Sequence, residues 1–295
     1  MPDRSFAAKA KSELCRKAVS RDCCASAELY GALLFANTFS YDELRLTTEN
    51  DRFRERFMGL AKRVVGVEPE TRSQSGKTVI TATGETAKKL YTHFGYEQRG
   101  EALHLNNAVV EEDCCREAFF RGAFLSAGSV NYPERSYHFE LSTRHFNLSR
   151  EVTALLYDME FEPKTAMRKS TYLIYFKESE AVAAVLAKIG APTASLAVHS
   201  ALIEKELRNS VNRRVNCDTA NISKTVSAAQ KQLEAIRKLE EHGQLETLPE
   251  ALREAAQLRI DNPEESLASL SERAGVSRSG LNHRLGRLCE LAKNL

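Results

Sequence analysis

One pattern is written twice in the first two-thirds of this 295-residue chain, and that duplication limits its folds more than any other feature. At a spacing of 91 residues, Cys23/Cys114, Cys24/Cys115, Ala27/Ala118, Gly31/Gly122, Ala32/Ala123, Leu34/Leu125 and Ala36/Ala127 coincide. The spacing then becomes 95, matching Phe53/Leu148, Phe57/Val152, Leu60/Leu155, Val64/Met159, Val79/Ile174, Leu90/Val185, Phe94/Ile189 and Gly95/Gly190. The four extra residues fall near Tyr132 to Arg135, a Pro-containing stretch that reads as a hairpin turn.

Each copy has the same internal order. GALLFAN or GAFLSAG ends a small-residue apolar helix, LRLTT and YHFELST alternate as half-buried strands, and Phe53 to Val64 and Leu148 to Met159 have helical spacing. Two short strands follow, near 67–72 and 77–82 in the first copy and 161–167 and 171–176 in the second. A closing helix then stops at Gly95 or Gly190. The expectation is an α+β, pseudo-twofold domain over 1–190, with αββαββα repeats at about 22–95 and 113–190. Its strands would form one saddle, and the Gly- and Ala-bearing first helices would meet along the seam.

The repeat order and the two glycine segments resemble the LAGLIDADG homing endonuclease fold in a single-chain, two-repeat form. That resemblance implies an acidic metal ligand five residues after each motif glycine, at the seam-helix ends. Here those positions are Ala36 and Ala127, whose methyl groups cannot ligate a hard cation that demands oxygen donors. Asn37, Ser126 and Ser129 are neutral neighbours, and Asp42 and Glu134 are the nearest candidate substitutes for an active nuclease with displaced metal ligands.

After Gly190 the pattern changes. APTAS, within 191–198, reads as a linker, and 199–295 as a helical domain. A helix over His199 to Val211 is expected to end near NRRVNCDTAN, where Asn216, Asp218 and Thr219 offer caps. The next would pack through Ile222, Val226, Ala229, Leu233 and Ile236. Overall, 42 Lys+Arg against 40 Asp+Glu leave a net charge of +2, so any nucleic-acid surface must be local. Such a local excess exists between Arg213 and Leu239: Arg213, Arg214, Lys224, Lys231, Arg237 and Lys238 face only Asp218 and Glu234. Arg213, Arg214, Lys224 and Lys231 are therefore candidate phosphate contacts.

The segment 263–292 carries helix-turn-helix spacing. Asn262 and Pro263 would start a helix with Leu267, Leu270 and Ala274 inward; Gly275 supplies the turn, Val276 is buried in it, and Ser277 caps a second helix bearing Leu281, Leu285 and Leu288. A helix in the major groove needs polar side chains near its N-terminus and cations beside them. Arg278, Ser279, Asn282 and His283 are the candidate base readers, with Arg284 and Arg287 on phosphates, and the capping Ser277 is counted with them as a DNA-binding residue. Gly280 costs about 1 kcal/mol relative to Ala within a helix, which close approach to DNA could offset.

A degenerate endonuclease-like repeat with RGAFLSAGSV and YHFELST, the NCDTAN segment and the terminal SRSGLNHRLGRL together resemble the WhiA family over nearly the whole chain. The resemblance implies a bacterial regulator of sporulation and cell division that binds double-stranded promoter DNA, is not an enzyme and needs no cofactor. Another transcription factor or RNA polymerase is the candidate protein partner. A cytoplasmic, nucleoid-associated protein is expected, since no window approaches eighteen uninterrupted apolar residues.

Seven cysteines in such a compartment read as reduced, half-buried thiols. No metal site is expected, because the two adjacent pairs lack C-x-x-C spacing. TRSQSGKT ends like a phosphate loop, but Thr71 stands where its first glycine belongs, so a hairpin turn is expected there. The saddle's outward residues Arg45, Glu49, Glu140, Arg144, Lys164, Arg168 and Lys169 mix signs, which leaves a protein-interaction or small-ligand surface open beside DNA binding.

Overall fold

The structure is a computed structural model describing residues 5–97, 99–133 and 136–295, and it divides into two compact units, Met1–Glu206 and Leu207–Leu295. In the first unit, helix α1 (Phe6–Leu14) precedes two copies of one motif. The first copy comprises α2 (Asp22–Leu34), β1 (Thr38–Phe39), β2 (Glu43–Thr48), α3 (Asp51–Val65), β3 (Glu70–Gln74), β4 (Lys77–Thr83) and α4 (Gly84–His93). The second comprises α5 (Asp113–Ala127), β5 (Gly128–Val130), β6 (Phe139–Thr143), α6 (Phe146–Asp158), β7 (Lys164–Arg168), β8 (Thr171–Phe176) and α7 (Ser179–Ile189).

The αββαββα order is as expected, and each copy keeps its own antiparallel four-stranded sheet, ordered β1-β2-β4-β3 and β5-β6-β8-β7. Each half-domain thus contributes one sheet of the two. Alternation along the central strands puts Leu44, Leu46, Phe139 and Leu141 into the core. The registers Leu46↔Ile80 and Leu141↔Ile174 also correct one repeat match: Ile174 corresponds to Ile80, not Val79. A one-residue slip moves a side chain to the other face of a sheet, so register identifies the true equivalent. Tyr132 and Pro133, the described part of the insertion, lie between β5 and β6, where the Asn131 amide donates to His138 O at 2.9 Å. Glu134 and Arg135 lie outside the described residues. The β3–β4 turn is built on Ser75 and Gly76, both at positive φ, which is a hairpin and not a phosphate loop.

α2 and α5 form the seam. Their partners advance together, from Glu28 beside Gly122 to Phe35 beside Ser126, so the helices run parallel. A Cβ at Gly31 would meet Phe119 O at 2.1 Å, and one at Gly122 would meet Glu28 O at 2.0 Å. The two glycines are reciprocal: each admits the other helix's backbone. Beside this contact lies a charge cluster that hydrophobic periodicity did not reveal. Glu28, 1% exposed, receives Arg121 Nε at 2.8 Å and Arg56 Nη2 at 2.9 Å. Arg121 also donates to Ile189 O, and Arg56 to Cys15 O and Lys17 O. The network joins the segment after α1, both seam helices, α3 and the end of α7.

The expected linker at 191–198 is helical. Helix α8 runs unbroken over Pro192–Glu241, and the boundary between units falls inside it. Pro192 suits a first helical turn. The Glu13 carboxylate accepts from the Thr193 and Ala194 amides at 2.7 and 3.0 Å, while Ala194 and Val198 are buried in the first core. The break expected near Asn216 is absent as well, and Asn216, Asp218 and Thr219 are exposed mid-helix residues.

Candidate nucleic-acid interface

The second unit is a small helical assembly of the C-terminal part of α8 with α9 (Glu250–Asp261), α10 (Leu267–Arg273) and α11 (Arg278–Lys293). Its core contains Ala235, Ile236, Leu239, Ala255, Ala256, Leu270, Leu281, Leu285, Leu288 and Ala292. Of the stripe expected on α8, Ala229 and Ile236 are buried and Leu233 half-buried, whereas Ile222 and Val226 remain exposed.

α10 and α11 are the helix-turn-helix pair. Ser266, not Asn262, caps α10, accepting from the Ser269 amide at 3.2 Å. Asn262 instead ends α9, its Nδ2 donating to Leu258 O at 3.0 Å, and Pro263 lies in the intervening turn. Leu270 is buried and Leu267 packs against the core, but Ala274 is exposed. Gly275 takes φ +62 in the turn, a left-handed conformation that favours glycine, and Val276 is half-buried against the core.

Ser277 caps α11 through a 3.1 Å hydrogen bond from the Gly280 amide, so its hydroxyl is already engaged in the helix start. A Cβ at Gly280 would meet that same oxygen at 3.1 Å, which gives this glycine a local reason independent of DNA. Beyond the cap, Leu281, Leu285, Leu288 and Ala292 point into the core at helical spacing. Arg278, Ser279, Asn282, His283 and Arg287 are exposed, and Arg284 is half-buried. At about 100° per residue, Ser279 and His283 lie opposite the leucines, Arg278 and Asn282 share one flank, and Arg284 and Arg287 share the other. Arg287 also pairs with Glu290 at 3.1 Å on the solvent side. The helix thus offers a polar ridge with a guanidinium border.

Arg213, Arg214, Lys224 and Lys231 are all exposed on α8. Arg213, Lys224 and Lys231 fall on one face of it, spread over about 27 Å at 1.5 Å per residue, while Arg214 is a quarter turn away. Lys238 departs from the basic surface: its Nζ donates to Ala292 O at 3.0 Å, at the C-terminal end of α11.

In the first unit, Ala36 and Ala127 lie at the seam end and line a cavity of about 480 Å³ with Asn37, Arg45, Thr47, Ser142, Arg144 and His145. No carboxylate lines it among the described residues. Asn37 Oδ1 is taken by the Thr47 amide at 2.8 Å, and the Ser126 hydroxyl donates to Phe35 O at 2.9 Å. Burial, then Arg144, pushes the His145 imidazole below its ordinary pKa. This donor set does not fit a divalent ion, and two guanidinium groups would oppose one. Asp42 is an exposed residue paired with Arg99 at 2.8 Å and does not line the cavity, while Glu134 lies outside the described residues. The outward charges Glu49 and Lys164 are likewise paired, with Lys77 at 2.8 Å and Glu178 at 2.5 Å. The two cysteine pairs, expected as ordinary thiols, are brought together at the other end of the seam.

Comparison with known proteins matches residues 211–292 to the WhiA C-terminal HTH domain and 116–208 to the WhiA LAGLIDADG-like domain. The chain is 35% identical to the probable cell division protein WhiA of Ruminiclostridium cellulolyticum, covering 99% of this chain and 98% of that one. It is 37% identical to the probable cell division protein WhiA of Bacillus subtilis, covering 99% and 97%. The crystal structure of full-length DUF199/WhiA from Thermatoga maritima matches its fold with a TM-score of 0.62 at 22% identity over 99% of both chains.

Proposed function

The chain belongs to the WhiA family and carries that family's helix-turn-helix domain, and from this premise we propose that it is a sequence-specific transcriptional regulator of bacterial cell division, chromosome segregation or sporulation. It reads double-stranded promoter DNA through α11, associates with the nucleoid and has no nuclease activity. The observation that carries this reading is the split of α11: a buried leucine stripe fixes the helix while Arg278, Ser279, Asn282 and His283 remain available to base edges. Arg284 and Arg287 contact the flanking phosphates, and Arg213, Arg214, Lys224 and Lys231 add contacts along α8. The loss of carboxylates around Ala36 and Ala127 supports the absence of cleavage. Among the described residues no helix is long and apolar enough to cross a membrane.

The test pairs a chromosome-wide footprint with binding titrations on the sites it finds. Arg284→Ala should weaken every sequence alike and reduce the salt slope, because each phosphate contact releases counterions. Asn282→Ala or Arg278→Ala should cost about 1–3 kcal/mol on the preferred site and relax its specificity. Unchanged binding by all three variants would remove α11 as the reading helix. Incubating the bound DNA with Mg²⁺ or Mn²⁺ should yield no product; cleavage lost in Asp42→Ala or Glu134→Ala would restore the nuclease reading.

A further inference from the structure

We propose that Cys23, Cys24, Cys114 and Cys115 hold one structural zinc ion as a tetrahedral tetrathiolate that ties the two repeats together at the N-terminal end of the seam. The four Sγ atoms all lie within 4.8 Å of one another. Zn–S bonds of about 2.3 Å in a tetrahedron place the sulfurs about 3.8 Å apart. Cys23 and Cys24 are already at 4.0 Å, so rotations of less than an ångström at the sulfurs close the set. A four-iron cubane fits poorly, since its cysteine sulfurs bind four separate irons and spread beyond this span.

The missing C-x-x-C spacing is supplied by symmetry. Each repeat contributes an adjacent pair from the first turn of its seam helix, and the parallel packing of α2 on α5 superposes the pairs on the pseudo-twofold axis. Contacts across the seam are in place, with the Cys24 thiol 3.6 Å from Cys114 O.

Neither α2 nor α5 has a side-chain cap, so the first amides of both helices lie beside the sulfurs without a side-chain acceptor. Arg21 Nη1 donates to Cys114 Sγ at 3.6 Å. The acids directly preceding each cysteine pair are engaged elsewhere, Asp22 with Arg63 at 2.6 Å and Asp113 with Arg116 at 3.5 Å. Cys115 is buried and Cys24 and Cys114 half-buried, while exposed Cys23 leaves a path for the ion. Binding converts four thiols and Zn²⁺ into a dianionic centre with release of four protons and no change in oxidation state.

Full-length protein purified under reducing, anaerobic conditions should carry about one zinc per chain by elemental mass spectrometry. Cys24→Ser combined with Cys114→Ser should bring zinc to background, whereas Cys217→Ser with Cys289→Ser should leave it unchanged. Because hydroxyls at a packed helix start can unfold the domain, the unmutated chain supplies a second measurement. After chelation, added Co²⁺ should give the intense visible bands and sulfur-to-metal charge transfer of a tetrahedral thiolate site, bleached by an equivalent of zinc. Protein that neither retains zinc nor gives that spectrum overturns the proposal. So does iron with acid-labile sulfide, or a disulfide between the two pairs in protein taken directly from cells.

Discussion

The two units both pack helices, with opposite materials. The seam of the first is made of glycine, alanine and a buried Glu28–Arg56–Arg121 cluster, so its helices touch backbone to backbone. The second is held mainly by leucines and alanines on α8 to α11, and its buried Arg259 on α9 donates to the backbone oxygens of Asn262 and Glu265 instead of joining an ion-pair cluster at the helix contacts. A seam built on close approach tolerates no added atoms but leaves its two ends free for chemistry. One end has lost its carboxylates and the other gathers thiols. A leucine-anchored helix leaves its whole outer face free, which is what sequence reading in a groove requires. The first unit is over-determined inside, and the second is specified mainly outside.

The hardest blow to this contrast is aimed at the seam. Gly122→Ala puts a Cβ 2.0 Å from Glu28 O, a backbone atom that cannot swing away. Destabilisation of more than about 3 kcal/mol is expected, a large share of a domain's usual 5–15 kcal/mol. Chemical denaturation followed by near-ultraviolet circular dichroism of the first unit's tyrosines would measure it. A near-neutral Gly122→Ala would mean the helices separate easily and the contrast is false.

Glu28→Ala comes next, at about 3–5 kcal/mol, because it strands Arg56 and Arg121 in a buried site. Glu28→Gln should recover part of this by keeping hydrogen-bond acceptance. Equal losses for both would show that charge, not hydrogen bonding, holds the cluster.

What the sequence disclosed and what it hid follow the same division. Periodicity and duplication reported the αββαββα order, and spacing from Gly275 to Leu288 reported the helix-turn-helix, because both depend on contacts local in the chain. Contacts between distant positions left no such trace. Glu28 carries no signal of its own in the sequence, because its partners Arg56 and Arg121 come from other elements. Pro192 followed by small residues looked like a linker, since nothing nearby announces that Glu13 caps the helix starting there. Asn262 and Ser266 are both good caps, and only the path of the chain decides which begins α10. The cysteine pairs marked the repeat, yet their convergence required knowing that the seam helices run parallel.

A milder probe lies at the start of α11. Ser277→Ala removes the cap on the Gly280 amide and should cost about 1 kcal/mol of stability in the second unit. Ser277→Asp should retain it, as a carboxylate accepts the same hydrogen bond and favours the positive end of the helix dipole. Thermal unfolding of the three proteins checks this order. If Ser277→Asp keeps full stability while losing affinity for DNA, the residue is close to phosphate as well as a cap; unchanged affinity would confine Ser277 to the helix start.

The smallest effect has the opposite sign and tests the contrast with a single residue type. Gly286 lies in the middle of α11, exposed, and a Cβ built on it meets nothing within 4 Å. In an open helical position alanine restricts the unfolded chain and is favoured by about 0.5–1 kcal/mol, so Gly286→Ala should stabilise the protein where Gly122→Ala disrupts it. Both glycines are helical, so the difference in sign comes from the neighbours alone. Urea titrations monitored by the far-ultraviolet signal measure the two changes on one scale. Should Gly286→Ala also destabilise, the outer face of α11 would be packed in solution, and a face already covered would not be free to enter a groove.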